Sequence, residues 1–481
     1  MVVIASHGSW SPGHGSVTTW TASSASREAM AAAELDGLPP SFQQEQHLWT
    51  AHRAKATGRA VPRLIMASWD VDGWCDLAAM TEAINSHLRR HDTYHSAFDF
   101  QVADVNGVPT TTIARRTIND PARIEFVPTA LGFMDQNAIR TLVQTATPGT
   151  LDWDCFTFGV IQKADHFTVY ANIDHLHTDG TSAGLIYRDI QQTYLGLVNG
   201  VSTSMPETSG YRDFTARQRL QVEAMTLDSR PIKDWIDFAH EADGDWPSFP
   251  LELGDTSASG EGGIVTIELL DADETDAFAS ACRDAGARFS GGVMACAALA
   301  DHRLTGTDTF HGFTPSDTRS GAEQSVSAGW YASLFPVTVP VGDGDFAQMA
   351  RAAQKSFDAN KHLSTVPLQR VLGLASPEDL GVTLPSGPSM MVSLMDFRGL
   401  VDAEADRFGI YLDNLSHGGI NTWIIRHADQ TTLTVSFPET PEARHSVHHY
   451  AGVLRAAFTD TVEFTEDWID GHADQAFAHS A

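Results

Sequence analysis

Positive charge is scarce in this chain. Its 481 residues hold 31 Lys and Arg against 61 Asp and Glu, a formal net charge of −30 at pH 7. A surface this acidic repels phosphate backbones and anionic bilayers, which excludes nucleic acid and general adhesion to anionic membranes. It also opposes a donor with an anionic nucleotide end. Such a donor needs local basic spots, and Arg351, Lys355 and Lys361 are candidates. Cysteine is equally sparse. Cys75, Cys155, Cys282 and Cys296 lie far apart with no Cys-x-x-Cys pair, which reads as reduced, mostly buried thiols of a cytosolic protein. No apolar run approaches the roughly 18 residues that cross a bilayer. Met1-Val2-Val3-Ile4-Ala5 lacks the basic region and long apolar core of a secretory signal. The expected location is cytoplasmic, or peripheral at the inner membrane face, with no transmembrane segment.

A chain of this length exceeds one ordinary core, so two lobes are expected. Residues 1–38, rich in Ser, Thr, Gly and Ala, read as an irregular arm with a short strand near 16–21. Residues 39–239 form a first lobe, 240–263 a flexible acidic connector, and 264–481 a second lobe. Ser41 caps a helix over 41–57 and Asp76 caps another, with Leu77, Met80, Ile84 and Leu88 on one face. The arginines and His91 fall at the exposed end of that second helix. His91 and His95 read as structural. Later come helices near 273–286, 292–304 and 346–357, strands near 388–394, 421–426 and 431–437, and a final helix carrying Val447, Tyr450, Leu454 and Phe458. Helices and strands mix in a similar order in both halves, an α/β pattern.

The segment that bears on chemistry is Asp174-His175-Leu176-His177-Thr178-Asp179-Gly180, between the apolar run 167–173 and the apolar-rich stretch 181–194. It supports three readings. In His-x-x-x-Asp-Gly, His175 is a general base, because histidine is the side chain that exchanges protons near neutral pH. Asp179 is then structural and paired with an arginine. In His-x-His-x-Asp, the alternation puts His175, His177 and Asp179 on one side of an extended segment as metal ligands. Further ligands would come from residues such as His240, His302 or His417. In the third reading the segment is a polar strand end with satisfied histidines. Cys155, flanked by aromatics, is a weak nucleophile candidate, and a serine-esterase reading is set aside.

The surrounding landmarks separate these readings. They are Ser41-Phe42-Gln43-Gln44-Glu45-Gln46-His47-Leu48-Trp49, Leu88 to Phe98, the 174–180 motif, Gly210-Tyr211-Arg212-Asp213-Phe214, Gly329 to Val337, and Phe437-Pro438-Glu439-Thr440. In that order the chain, from about Pro39 to Val447, resembles the condensation-domain and chloramphenicol acetyltransferase-like superfamily. Leu88 to Tyr94, Trp153 to Gln162 and Ile173 to His177 bring it nearest to mycobacterial polyketide-associated acyltransferases that acylate trehalose or its sulfate. One departure stands out. Condensation domains carry His-His where this chain has Asp174-His175, which favours ester over peptide-bond formation.

The resemblance implies mixed sheets in two chloramphenicol acetyltransferase-like lobes, arranged as a V with a tunnel between them. It implies acyl transfer from a thioester, acyl-CoA or carrier-bound, to a sugar or other alcohol, with no bound cofactor, no metal and no covalent acyl-enzyme. A polyketide synthase or fatty-acyl carrier is the implied protein partner, and a chain with no carrier or adenylation segment is expected to act alone. His175 would be the base and the Gly180 N–H an oxyanion donor. Arg398 is the preferred partner of Asp179, with Arg319 as the alternative. His177, Trp330, Tyr331 and Trp423 are expected along the substrate channel.

Overall fold

The computed structural model describes residues 3–105, 108–242, 247–256, 262–381, 390–398, 408–413 and 419–477, with side chains of the last helix to Val462. The chain divides into two compact units. One comprises Met1–Ala224, Asp317–Ala332 and Leu400–Leu415; the other comprises Met225–Ser316, Ser333–Gly399 and Ser416–Ala481.

The first unit is built on a seven-stranded sheet. Its spatial order is Val3–Ser6, Gly409–Leu412, Leu64–Asp72, His166–Asp174, Phe156–Gln162, Gly15–Ala22 and Phe126–Met134. The first pair is parallel and the others are antiparallel. Residues 167–174 are buried on both faces of the sheet, which explains an apolar run without alternation. Helices Leu77–Arg90 and Gly180–Asn199 lie against one another, the second also against Leu64–Asp72. A smaller sheet joins Leu35–Asp36, Val108–Thr117 and Ser96–Val105.

The second unit carries a six-stranded mixed sheet, ordered Gly262–Leu270, Thr431–Pro438, Ile420–Arg426, Met390–Asp396, Thr309–Asp317 and Ala332–Pro340. Helices Ala272–Asp284, Phe289–Thr305, Phe346–Asn360 and Pro441–Phe477 supply its core, with Phe278, Val293, Met349 and Leu454 among the buried residues.

Three boundaries depart from the sequence reading. Residues 1–38 are no irregular arm. Gly15–Ala22 is an interior strand, with Val17, Trp20 and Ala22 buried and the Trp20 indole donating to Thr81 at 2.8 Å. Its threonines hide the pattern, because Thr suits a strand on either face. The change of unit falls at 224–225 rather than in 240–263. Ile232, Trp235 and Phe238, on one face of helix Arg230–Glu241, join the second core. The second half of the chain also returns twice to the first unit. Residues 243–246 and 257–261 of the expected connector, and 388–389 of an expected strand, lie outside the described residues.

Candidate active site

His175 is the first residue past the strand His166–Asp174. Its backbone N–H donates to the Arg63 carbonyl at 2.6 Å, and the chain then turns, with His177 N–H donating to Asp174 O at 2.9 Å. The ring's Nδ1 lies 2.7 Å from the Thr178 carbonyl. A carbonyl only accepts, so the neutral ring carries its proton on Nδ1 and leaves the Nε2 lone pair free. Trp330 stacks on the ring with centroids 3.7 Å apart and planes at 25°. The imidazole is partly exposed. Desolvation, with help from the charge of His47, lowers its pKa to about 4, so at neutral pH it is an unprotonated base.

Asp179 is the N-cap of helix Gly180–Asn199, accepting from Ser182 N–H at 2.8 Å. Its other donors come from Arg319 and the residues after Trp330. Arg319 grips both carboxylate oxygens, Nη1 to Oδ2 and Nη2 to Oδ1, each at 3.1 Å. Tyr331 and Ala332 donate their N–H groups at 2.9 and 3.2 Å. Both side chains are 3% exposed. Burial pushes the Asp179 carboxyl up, but the guanidinium and the N–H donors reverse this, and the net shift is downward. Arg319 also donates to Ser327 O and Ser182 Oγ and lies over the Tyr331 ring at 4.2 Å. The clamp thus binds the helix start to the loop that presents Trp330.

The expected pairing of Asp179 with Arg398 is therefore corrected. Arg398 pairs with its neighbour Asp396, at 2.9 and 2.7 Å, in the second unit. Asp179 is already occupied by Arg319 and three backbone N–H groups. His177 is no channel residue. It is buried between Tyr94 and Phe156, with Nδ1 3.1 Å from Thr93 Oγ1. Tyr331 is fully buried too, its hydroxyl donating to Ser327, because it forms the floor under Arg319. Trp330 remains partly open beside His175. Trp423 is half-buried on Ile420–Arg426 in the second unit, in register with Ser393 and Thr434. Gly180 opens its helix, so its N–H is one of the first-turn donors that the helix leaves unused.

Asp179 is committed to Arg319 and His177 to the core, so His-x-His-x-Asp does not converge as a ligand set. Among the described residues, His87, His91 and Asp189 come close enough together to hold an ion; His417 lies outside those residues. His91 Nε2 lies 2.7 Å from Asp189, while Arg90 Nε and Arg188 Nη2 approach the same carboxylate at 3.3 and 3.5 Å. A dication there would face two guanidinium groups, so the cluster is a buried charge hub. His91, expected at an exposed helix end, is buried in it. Cys155 is buried, and desolvation pushes its thiol well up, which removes it as a nucleophile.

Sequence reasoning passed over two features. Gly180-Thr181-Ser182-Ala183-Gly184 spells Gly-x-Ser-x-Gly, which corrects the expectation, behind setting the serine-esterase reading aside, that the chain lacks this motif. Ser182 is nonetheless no nucleophile: it is buried inside the helix, donates to Gly329 O at 2.9 Å and accepts from Gly329 N–H at 3.0 Å. The second is the role of Asp174, noted in the sequence only as a departure from His-His. Its carboxylate accepts from His47 Nε2 (2.7 Å), Thr150 Oγ1 (2.6 Å), Leu176 N–H (3.0 Å) and Arg63 Nη1 (3.2 Å). The doubled ionisable pair Asp174-His175 was the available signal.

Gly329 is the tightest point of the loop. Its φ is +153°, and a Cβ there would lie 2.3 Å from the Tyr211 ring. That ring's hydroxyl in turn donates to Trp330 O at 2.8 Å. Gly329→Ala is expected to destabilise the protein by about 1–3 kcal/mol through overpacking and to lower activity by moving Trp330. Urea unfolding beside a rate assay checks it.

His175, Asp179, Arg319 and Trp330 thus come together in one histidine-centred site. The condensation-domain family model matches residues 41–379, and the chain belongs to that family. Trehalose-2-sulfate acyltransferase PapA2 of Mycobacterium tuberculosis is 40% identical over 461 residues, covering 95% of this chain and 96% of that protein. Acyltransferase PapA3 of the same organism is 38% identical over 462 residues, with 94% and 95% covered. Its 2'-acyl-2-O-sulfo-trehalose (hydroxy)phthioceranyltransferase PapA1 is 41% identical over 453, with 93% and 86% covered. A solved PapA2 acyl transferase structure superposes with a TM-score of 0.90 at 40% identity, covering 96% of this chain and 99% of that one. The condensation domain of the Monacolin K polyketide synthase MokA, at 14% identity and TM-score 0.67, shares the fold, covering 89% of this chain and 99% of that one.

Proposed function

We propose that this chain is an O-acyltransferase that moves a fatty or polyketide acyl group from a thioester to a hydroxyl of trehalose or a trehalose derivative. The observation that carries the reading is the His175 ring, held through Nδ1 on Thr178 with its Nε2 lone pair free. The acyltransferase relatives support the reaction class, and their printed names supply the sugar.

In the proposed reaction His175 Nε2 takes the proton of a sugar hydroxyl as its oxygen attacks the thioester carbonyl. The Gly180 N–H is the proposed donor to the oxyanion, in the first turn of a helix whose dipole favours negative charge. The C–S bond then breaks, and the imidazolium returns its proton to the leaving thiolate. A thioester is already activated, so positioning and one base suffice: positioning contributes on the order of 7 kcal/mol in ideal cases. Acyl-CoA and a carrier-bound thioester both fit this scheme.

The test is thiol release from palmitoyl-CoA with and without trehalose, followed by mass spectrometry of the sugar. Trehalose-dependent release with an acylated product supports the reading. Release that depends instead on an amine acceptor would move the chain to the condensation-type synthases whose family model it matches. A pH dependence follows. The base acts unprotonated and its pKa lies at about 4, so the rate should rise through that pH and stay level towards neutrality. An acidic limb centred near the usual histidine range would contradict this.

A further inference from the structure

Asp174 occupies the position where condensation domains carry the first of two histidines, and its carboxylate meets a histidine from elsewhere in the chain. His47, on helix Phe42–Thr57, places Nε2 2.7 Å from Asp174 Oδ1. A carboxylate only accepts, so that Nε2 carries a proton. The His47 ring stands edge-on to Trp330, at 5.6 Å and 76°, and 6.4 Å from the His175 ring. Trp330 is thus touched by two imidazoles, stacked on one and edge-on to the other.

We infer that His47 is a positioning residue for His175, acting through Asp174 and Trp330. This rests on the reading of His175 as the general base. Two routes connect the residues. Asp174 holds the Arg63 side chain, and the Arg63 carbonyl holds the His175 backbone N–H at 2.6 Å. Trp330 fixes the plane of the His175 ring. His47 anchors the carboxylate of the first route and the indole of the second. It also sets a positive edge near the base: a proton on His47 repels one on His175, which helps to hold the latter's pKa down. The other ionisable groups facing this network are Asp174 itself, Arg63, Asp179, whose charge opposes that of His47 at His175, His177, and Asp413, whose carboxylate accepts the N–H groups of Arg63 and Leu64. Asp174 is fully buried, and burial pushes it up, but His47 and Arg63 bring it well below the carboxylate range.

The test compares pH–rate profiles of wild type, His47→Gln and His47→Arg, with His175→Ala alongside. Gln offers a hydrogen-bond donor without charge, and Arg offers one with a fixed charge. In His47→Gln the rate at neutral pH should fall on the order of 10-fold through lost positioning. Its acidic limb should move up by about one pH unit, the effect of a unit charge across the 6.4 Å between rings at an effective dielectric constant of about 40. His47→Arg should keep the limb in place. A His47→Gln profile that overlays wild type, or a loss in both variants with no movement of the limb, overturns the inference. Activity surviving in His175→Ala would instead overturn the base reading itself.

Discussion

His175→Ala is expected to reduce trehalose-dependent thiol release by roughly 10²–10⁴-fold, the usual contribution of a positioned base. The residual rate would come from holding donor and acceptor together. The fold should survive. The side chain donates to Thr178 O, stacks on Trp330 and faces the His47 ring, and its own ring is partly exposed. Its removal should cost no more than about 2 kcal/mol. Circular dichroism and a urea melt beside the assay separate lost chemistry from lost structure. A folded variant that keeps more than about a tenth of the rate would take the base role away from His175. The low pKa carries a trade-off. A base near 4 is always available at pH 7, yet it is weaker than one tuned near 7. Catalysis here must therefore lean on geometry and on oxyanion stabilisation.

Arg319→Ala should be the most damaging substitution for stability. It leaves the Asp179 carboxylate, 3% exposed, without its cation. Breaking a buried pair by removing one partner costs about 3–5 kcal/mol, because the surviving charge stays desolvated. The Ser182, Tyr331 and Ala332 N–H donors remain and hold the estimate within that range. Arg319→Lys should restore little, since a point charge cannot reach both oxygens as the guanidinium fork does. Activity should fall with stability, because Asp179 adjoins Thr178, whose carbonyl sets the His175 tautomer. The pH dependence has a definite sign. The Asp179 pKa is depressed, so the pair's stabilisation is present above the ordinary carboxylate pKa of about 3.9 and is lost as the pH falls through the lower folded value. In Arg319→Ala that acid sensitivity should shrink. Urea midpoints for both variants at neutral and acidic pH measure this, and an Arg319→Ala midpoint equal to wild type would remove the clamp from the account.

The sequence was most legible where local rules operate. Ser41 and Asp76 cap the helices assigned to them, with Gln44 completing a capping box at the first. The alternation of Leu433, Val435 and Phe437 marks a buried strand. The motif residues His175 and Asp179 stood out because their chemistry and spacing lie within five consecutive positions. Long-range pairings left no such trace. Arg319 and Arg398 look alike in sequence, and only folding shows that one meets Asp179, 140 residues away, while the other is taken by Asp396. Tyr331 and His177 look like channel residues because aromatic and imidazole rings suit both a lining and a core. His47 sat in a quoted landmark with no assigned role, since nothing local connects it to Asp174.

The return of the chain to its first unit bears on how the protein is made. Segments 317–332 and 400–415 belong with residues 1–224. The strand Val3–Ser6 pairs with Gly409–Leu412, which separates it from Leu64–Asp72. A ribosome therefore releases the opening strand and the whole histidine motif long before either can be finished. The edge of Leu64–Asp72 stays open until Gly409–Leu412 emerges, and Asp179 stays without its Arg319 partner until 140 more residues have been made. At roughly 5–20 residues per second, that interval lasts on the order of ten seconds or more. Completion of the corner around His175 thus waits on residues made well after the motif itself, and a product truncated before Arg319 would carry the motif without the means to hold it.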